Sequence, residues 1–291
     1  DADWYAARIG ADGVSMSDYR AIEHGDAAAA FAALTGEGAD RLLEMRVVPA
    51  APSSDYNGNT YIDTMSIEAV DRFIELTHEE YARRCGDRLG ASIRGIFTDE
   101  PHRGHALDNT RTGPDGTRSC AVFYTDDIFD EFRRRYGYDA RPRMPEVFYR
   151  LHGHPISRLR VDYFDLGCNL FNERFIGRID DWCTRHNIIL TGHVLHENSL
   201  SNQAIPNGSL ARTYENMAWP GVDFLCEDER CYWIAVQCRS VCRQQGKKWM
   251  LSELYGCTGW RSVLRMYKVI GDWQALLGVN VRCPLLSWYT M

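Results

Sequence analysis

The run Ile96-Phe97-Thr98 leads directly into Asp99-Glu100-Pro101. A short apolar run of this kind reads as a buried strand, and Pro101 bars the ladder from continuing, so the two acids are presented at the open end of a sheet. The arrangement recurs further along, where Trp249-Met250-Leu251-Ser252 leads into Glu253, followed by Leu254-Tyr255-Gly256. Two carboxylates brought to one mouth by parallel strands are the pair that cleavage of a glycosidic bond needs, one as acid and one as nucleophile or base. An acid working near neutrality needs a raised pKa. Burial of Glu100 beside Asp99 would raise it through desolvation and like-charge repulsion. The competing structural reading is an acidic strand end paired with nearby arginines.

Polar residues end two more apolar runs: His193 to Glu197, and Glu227-Asp228. His193, His196 and Glu197 are metal-ligand types, but a zinc protease sets its two histidines on one helical face with a glutamate between them, and this segment follows a strand. Hydrogen bonding to substrate is therefore expected of them. No metal or cofactor is assigned, with a metal-assisted hydrolase or lyase using His193, His196 and Glu197 as the alternative. Glu197 is also the rival to Glu253 as second carboxylate. Tyr255, Trp260, Trp288 and Tyr289 follow the last two strand-like runs, and flat rings suit the apolar faces of sugars, although cores use aromatics too. The expected substrate contacts are Asp99, His102, His193, Glu197, Tyr255, Trp260 and Trp288. Cys231, Cys238 and Cys242 read as small residues packed on a helix. Gly153, Gly167 and Gly177 are isolated, so no glycine-rich phosphate loop is present, and no serine nucleophile elbow occurs.

The elements that must position these residues alternate between helix and strand from about residue 66, the pattern of a parallel sheet with helical crossovers. Ser66 to Cys85 predicts one helix, with Ser66 as cap and Val70, Phe73, Ile74, Thr77 and Tyr81 on one face. Further helices are expected near 124–136, 156–186, 229–245 and 260–277. Strands are expected at about 92–98, 188–194, 222–226, 248–252 and 279–286, with one more at 43–49. Six strands fall two short of a closed eight-stranded barrel, and a chain that opens on Asp1 suggests a piece lacking the first strands. The expectation is a single (β/α)8 TIM barrel domain spanning 1–291, with residues 1–40 unassigned, barrel strands from about 43 to 288, and a long, functional loop at 101–122.

A net charge of −7 with no basic stripe argues against a nucleic-acid partner. Arg133-Arg134-Arg135 falls on a helix with Asp130 and Glu131 and reads as a solvated face. The apolar stretches are too short to span a bilayer, so no membrane partner is expected. The ten cysteines are scattered through helices and strands and read as mostly reduced thiols. Compartment, cytoplasmic or exported, and oligomeric state are left open by the sequence.

Gly95 to Pro101, Thr191 to Glu197, Ser252 to Gly256, Gly271-Asp-Trp-Gln274 and Leu277-Gly-Val-Asn280 together resemble the (β/α)8 glycoside hydrolases, and among them the bacterial α-L-rhamnosidase-like enzymes, over roughly residues 40–291. The resemblance implies an acid after strand four, matching Glu100, and a nucleophile or base after strand seven, matching Glu253. It implies a carbohydrate substrate. Many members carry Asn before the strand-four glutamate, whereas this chain has Asp99, a departure that leans toward inversion. A non-catalytic sugar-binding barrel is the reading from outside the enzymes.

Overall fold

The computed structural model describes residues 2–23, 26–104, 107, 111–151, 154, 156–226 and 231–285. In chain order the strands are β1 (Ala2–Ile9), β2 (Ser15–Ala21), β3 (Ala39–Arg46), β4 (Gly95–Thr98), β5 (Arg111–Thr112), β6 (Arg118–Ser119), β7 (Arg150–Leu151), β8 (Ile189–Gly192), β9 (Trp219–Phe224), β10 (Leu251–Leu254) and β11 (Val281–Pro284). The chain divides into two compact units, one formed by residues 1–62 and 107–167 and the other by residues 63–106 and 168–291.

The first unit holds a four-stranded sheet in the order β3-β1-β2-β7 and the small β5–β6 hairpin. β1 and β2 are joined by a tight turn in which the Asp12 carboxylate accepts from the main-chain N–H groups of Val14 and Ser15. One face of the sheet buries Ala7, Ile9 and Met16 against Tyr19, Leu43, Tyr149 and Leu151. Residues 1–40, unassigned from sequence, thus supply two of its strands.

The second unit carries the parallel sheet, in the order β11-β10-β9-β8-β4. Each strand lies beside its neighbour in the chain, and helices make the crossovers, among them Gly177–Arg185 before β8, Tyr232–Gln244 before β10 and Leu264–Leu277 before β11. The middle strands are buried on both faces, as crossover helices require. Leu190, Val222, Phe224, Leu254, Trp182 and Tyr214 are fully enclosed.

The class is α/β, but the eight-stranded TIM barrel expected from sequence is not formed: among the described residues the parallel sheet has five strands, with β4 and β11 at its edges. The strand expected at 43–49 accounts for part of the difference. It forms as β3 over Ala39–Arg46, and it pairs antiparallel with β1 along its whole length, from Ala2 opposite Arg46 to Ile9 opposite Ala39. It is a sheet edge, with Leu42, Val47 and Val48 exposed. An apolar run specifies a strand but not its partner, which lies far away in sequence.

Two helices expected to be continuous are interrupted. Ser66 caps Ile67–Leu76 through the main-chain N–H of Ala69, but the helix breaks at Thr77 and resumes as His78–Cys85. Arg158–Phe171 passes through a single π-turn at 172–176 into Gly177–Arg185. Cys168, Cys183, Cys238 and Cys242 are buried thiols. Among the described residues no helix is long and apolar enough to cross a membrane.

Candidate active site

The carboxyl ends of β4, β8, β9 and β10 converge on one side chain, His193. Its imidazole is only 1% exposed and stands edge-on to the Phe97 ring, with centroids 5.5 Å apart. The Nε2 atom lies 2.9 Å from Glu253 Oε2 and 3.6 Å from Asp99 Oδ1. Donor atoms of Asp99, His193 and Glu253 fall within 4.8 Å of one another, as do those of Glu100, His193 and Asp223. Four acids from three strand ends therefore surround one ring from a fourth.

This convergence depends on how the strands approach. Neighbouring strands lie about 4.8 Å apart, so in a flat sheet the ends of β4 and β10 would be separated by about 14 Å. His193, from the end of β8, sits between them in the strand order. The close approach of β4 and β8 is made possible by Gly192, at φ +134°, where a Cβ would lie 2.0 Å from the Thr98 carbonyl oxygen. The His193 main-chain N–H donates to that same carbonyl at 3.2 Å. Across β9 and β10, Asp223 is in register with Glu253, so the strand period sends both side chains to the same face.

Residues beyond strand ends hold left-handed backbone, among them Glu100 at φ 45°, His196 at φ 59° and Tyr255 at φ 77°. Such conformations cost non-glycine residues about 1–3 kcal/mol and gather at functional sites. At Glu100 the kink turns the chain immediately after Asp99, which lets consecutive acids both face His193.

The charges at the site shift one another. Burial raises the Glu100 carboxyl above the usual glutamate range; Asp99 and Glu253 add to the rise, and His193 and His196 oppose it. Burial disfavours the His193 imidazolium, but Glu197, Glu253, Asp223 and Asp99 outweigh it and raise the ring above the ordinary histidine value. Asp223 is pushed up to about 6 by burial, opposed by His193 and reinforced by the Glu253, Glu100 and Asp99 charges.

Glu197, the expected rival to Glu253, has both carboxylate oxygens engaged. Its Oε1 accepts from the Tyr214 hydroxyl at 2.7 Å, and its Oε2 accepts from the Asp223 main-chain N–H at 2.7 Å. It is fully enclosed, and burial pushes its pKa up to about 7. Through the Asp223 N–H it is bound to β9. His196 is exposed and its charge acts on Glu100; among the described residues, His193, His196 and Glu197 are not one of the groups whose donor atoms converge. His102 pins the segment after Glu100: its Nδ1 accepts from the Gly104 N–H at 3.0 Å, and its carbonyl accepts from Thr64 Oγ1 at 2.9 Å. The Tyr255 N–H donates to the Leu225 carbonyl at 2.7 Å, and its ring packs on Tyr267. Trp260 is 95% exposed. Trp288, Tyr289, Glu227 and Asp228 lie outside the described residues.

Sequence reasoning missed Asp223. Its signal was present, a lone acid in Trp219-Pro-Gly-Val-Asp-Phe224, but it sits inside an apolar run instead of at its end.

No protein-family model and no curated protein matches this chain. Among solved structures it is similar to a rhamnosidase from Novosphingobium sp. PP1Y, with a TM-score of 0.59 and 17% sequence identity, over 79% of this chain and 21% of that one. At that identity the likeness is one of fold, and this chain spans about a fifth of the other's length.

Proposed function

We propose that this chain carries the active site of a glycoside hydrolase, with Glu100 as general acid and Glu253 as nucleophile or general base. The observation that carries this reading is the meeting of the β4 and β10 acids around His193. The environments of the two differ: Glu100 is raised by burial, the condition for holding a proton near neutrality, while Glu253 is hydrogen-bonded to His193. Glu100 would protonate the departing oxygen as the glycosidic bond breaks. Glu253 would attack the anomeric carbon or take a proton from the attacking water, and the separation across the bound sugar decides between these. The fold shared with a rhamnosidase makes α-L-rhamnosides the first substrates to assay. Release of nitrophenol from 4-nitrophenyl α-L-rhamnopyranoside, and its loss in Glu100→Gln and Glu253→Gln, tests the reading. Activity retained in both variants would reject it.

A second reading is favoured by one observation, the two groups of converging donors. An oxygen-rich set with one imidazole suits a hard divalent cation such as Ca²⁺ or Mn²⁺. Asp99, His193 and Glu253, or Glu100, His193 and Asp223, would hold it, and the cation would supply charge to orient sugar hydroxyls. Calorimetric titration with Ca²⁺ and Mn²⁺, with activity measured before and after chelation, separates the two readings.

A further inference from the structure

One buried oxygen at the strand ends has no partner. Asp223 Oδ1 is shielded from solvent and makes no hydrogen bond among the described residues. Leaving such an acceptor unmet is destabilising. The main chain that carries it is nevertheless anchored. Its main-chain N–H is bound by Glu197 Oε2, and Glu197 is fixed in turn by the Tyr214 hydroxyl, each at 2.7 Å. Its carboxylate stands within 4.8 Å of Glu100 and His193 and projects from the same face as Glu253. An acceptor on anchored backbone, beside the proposed acid and base, lacks only a donor.

We propose that Asp223 is a specificity-determining residue: its Oδ1 accepts a hydrogen bond from one ring hydroxyl of the sugar whose glycosidic bond lies between Glu100 and Glu253. The inference rests on the glycosidase reading and adds to it the group that recognises the sugar. Glu197 and Tyr214 are positioning residues, acting through Asp223. A site built to bind a hydroxyl rejects the analogue lacking it strongly, because the buried acceptor is then left unpaired.

The test is a cycle of kcat/KM values on the full chain. Wild type and Asp223→Ala are assayed with 4-nitrophenyl α-L-rhamnopyranoside and its 2-, 3- and 4-deoxy counterparts. Wild type should lose about 100-fold or more on one deoxy substrate. Asp223→Ala should lose a similar factor on the parent sugar and no more on that deoxy sugar, so the two losses fail to multiply. If Asp223→Ala does not fold by circular dichroism, Asp223→Leu, which keeps similar bulk and removes both acceptor oxygens, takes its place in the same cycle. Losses that multiply for all three deoxy sugars, or an unchanged kcat/KM in the variant, overturn the role of Asp223 and leave the glycosidase reading standing. A wild-type protein that cleaves none of the glycosides overturns both.

Discussion

His193 Nε2 lies 2.9 Å from Glu253 Oε2, bringing a residue from the end of β8 into contact with one from the end of β10 across the intervening β9. The contact spans two strand spacings and fixes Glu253 at the side of the site facing Glu100. The chemistry proposed for this chain depends on that orientation.

Protonation of the leaving group matters most where the leaving group is poor. Glu100→Gln should therefore abolish hydrolysis of alkyl or disaccharide rhamnosides while reducing that of a dinitrophenyl rhamnoside much less. Equal losses on both would remove Glu100 from the acid role.

The raised Glu100 carboxyl also predicts a pH profile. An acid must be protonated to act, so kcat/KM should fall as pH rises through its pKa, and that limb should lie above the range of an ordinary glutamate. In Glu100→Gln the limb should vanish from the residual activity.

Gly192 is held at φ +134° against the Thr98 carbonyl. A methyl group there meets both backbone strain and a clash, so Gly192→Ala should destabilise the fold by about 3 kcal/mol or more in urea unfolding. A stable variant would show that β4 and β8 do not need their close approach.

His78 is buried between the rings of Phe73 and Trp182, and neither ring nitrogen has a hydrogen-bond partner among the described residues. Burial lowers its pKa, with Glu79 opposing. The folded state thus keeps the ring neutral, while the unfolded chain takes up a proton below about pH 6.5. Stability relative to His78→Phe should fall as pH drops from 8 to 5 and be level above 7.5. Parallel pH curves for the two proteins would contradict this.

Trp260 projects into solvent, so Trp260→Ala should leave the melting temperature nearly unchanged. If its indole stacks on a sugar, as expected from sequence, KM should rise about tenfold, equivalent to about 1.4 kcal/mol. An unchanged KM would move the aromatic platform to Tyr255 or Trp288.

Local pattern by itself determined much of the parallel sheet's content. The apolar runs ending at Asp99-Glu100 and at Glu253 read as strands because burial on both faces leaves a continuous apolar stretch, and acids tolerate only its solvent end. The helix at Ile67–Leu76 was legible through the Ser66 cap and its apolar period. Tertiary structure alone decided which strands meet. β3 joined β1 because antiparallel register is settled between segments far apart in the chain. The partners of Glu197, the Tyr214 hydroxyl and the Asp223 main-chain N–H, come from segments its own sequence neighbourhood does not name. Asp223 entered the site from within an apolar run because the strand period, set in register against β10, sends it to the side of Glu253. Sequence specifies which residues a strand carries, whereas register and the space left by Gly192 specify which of them touch.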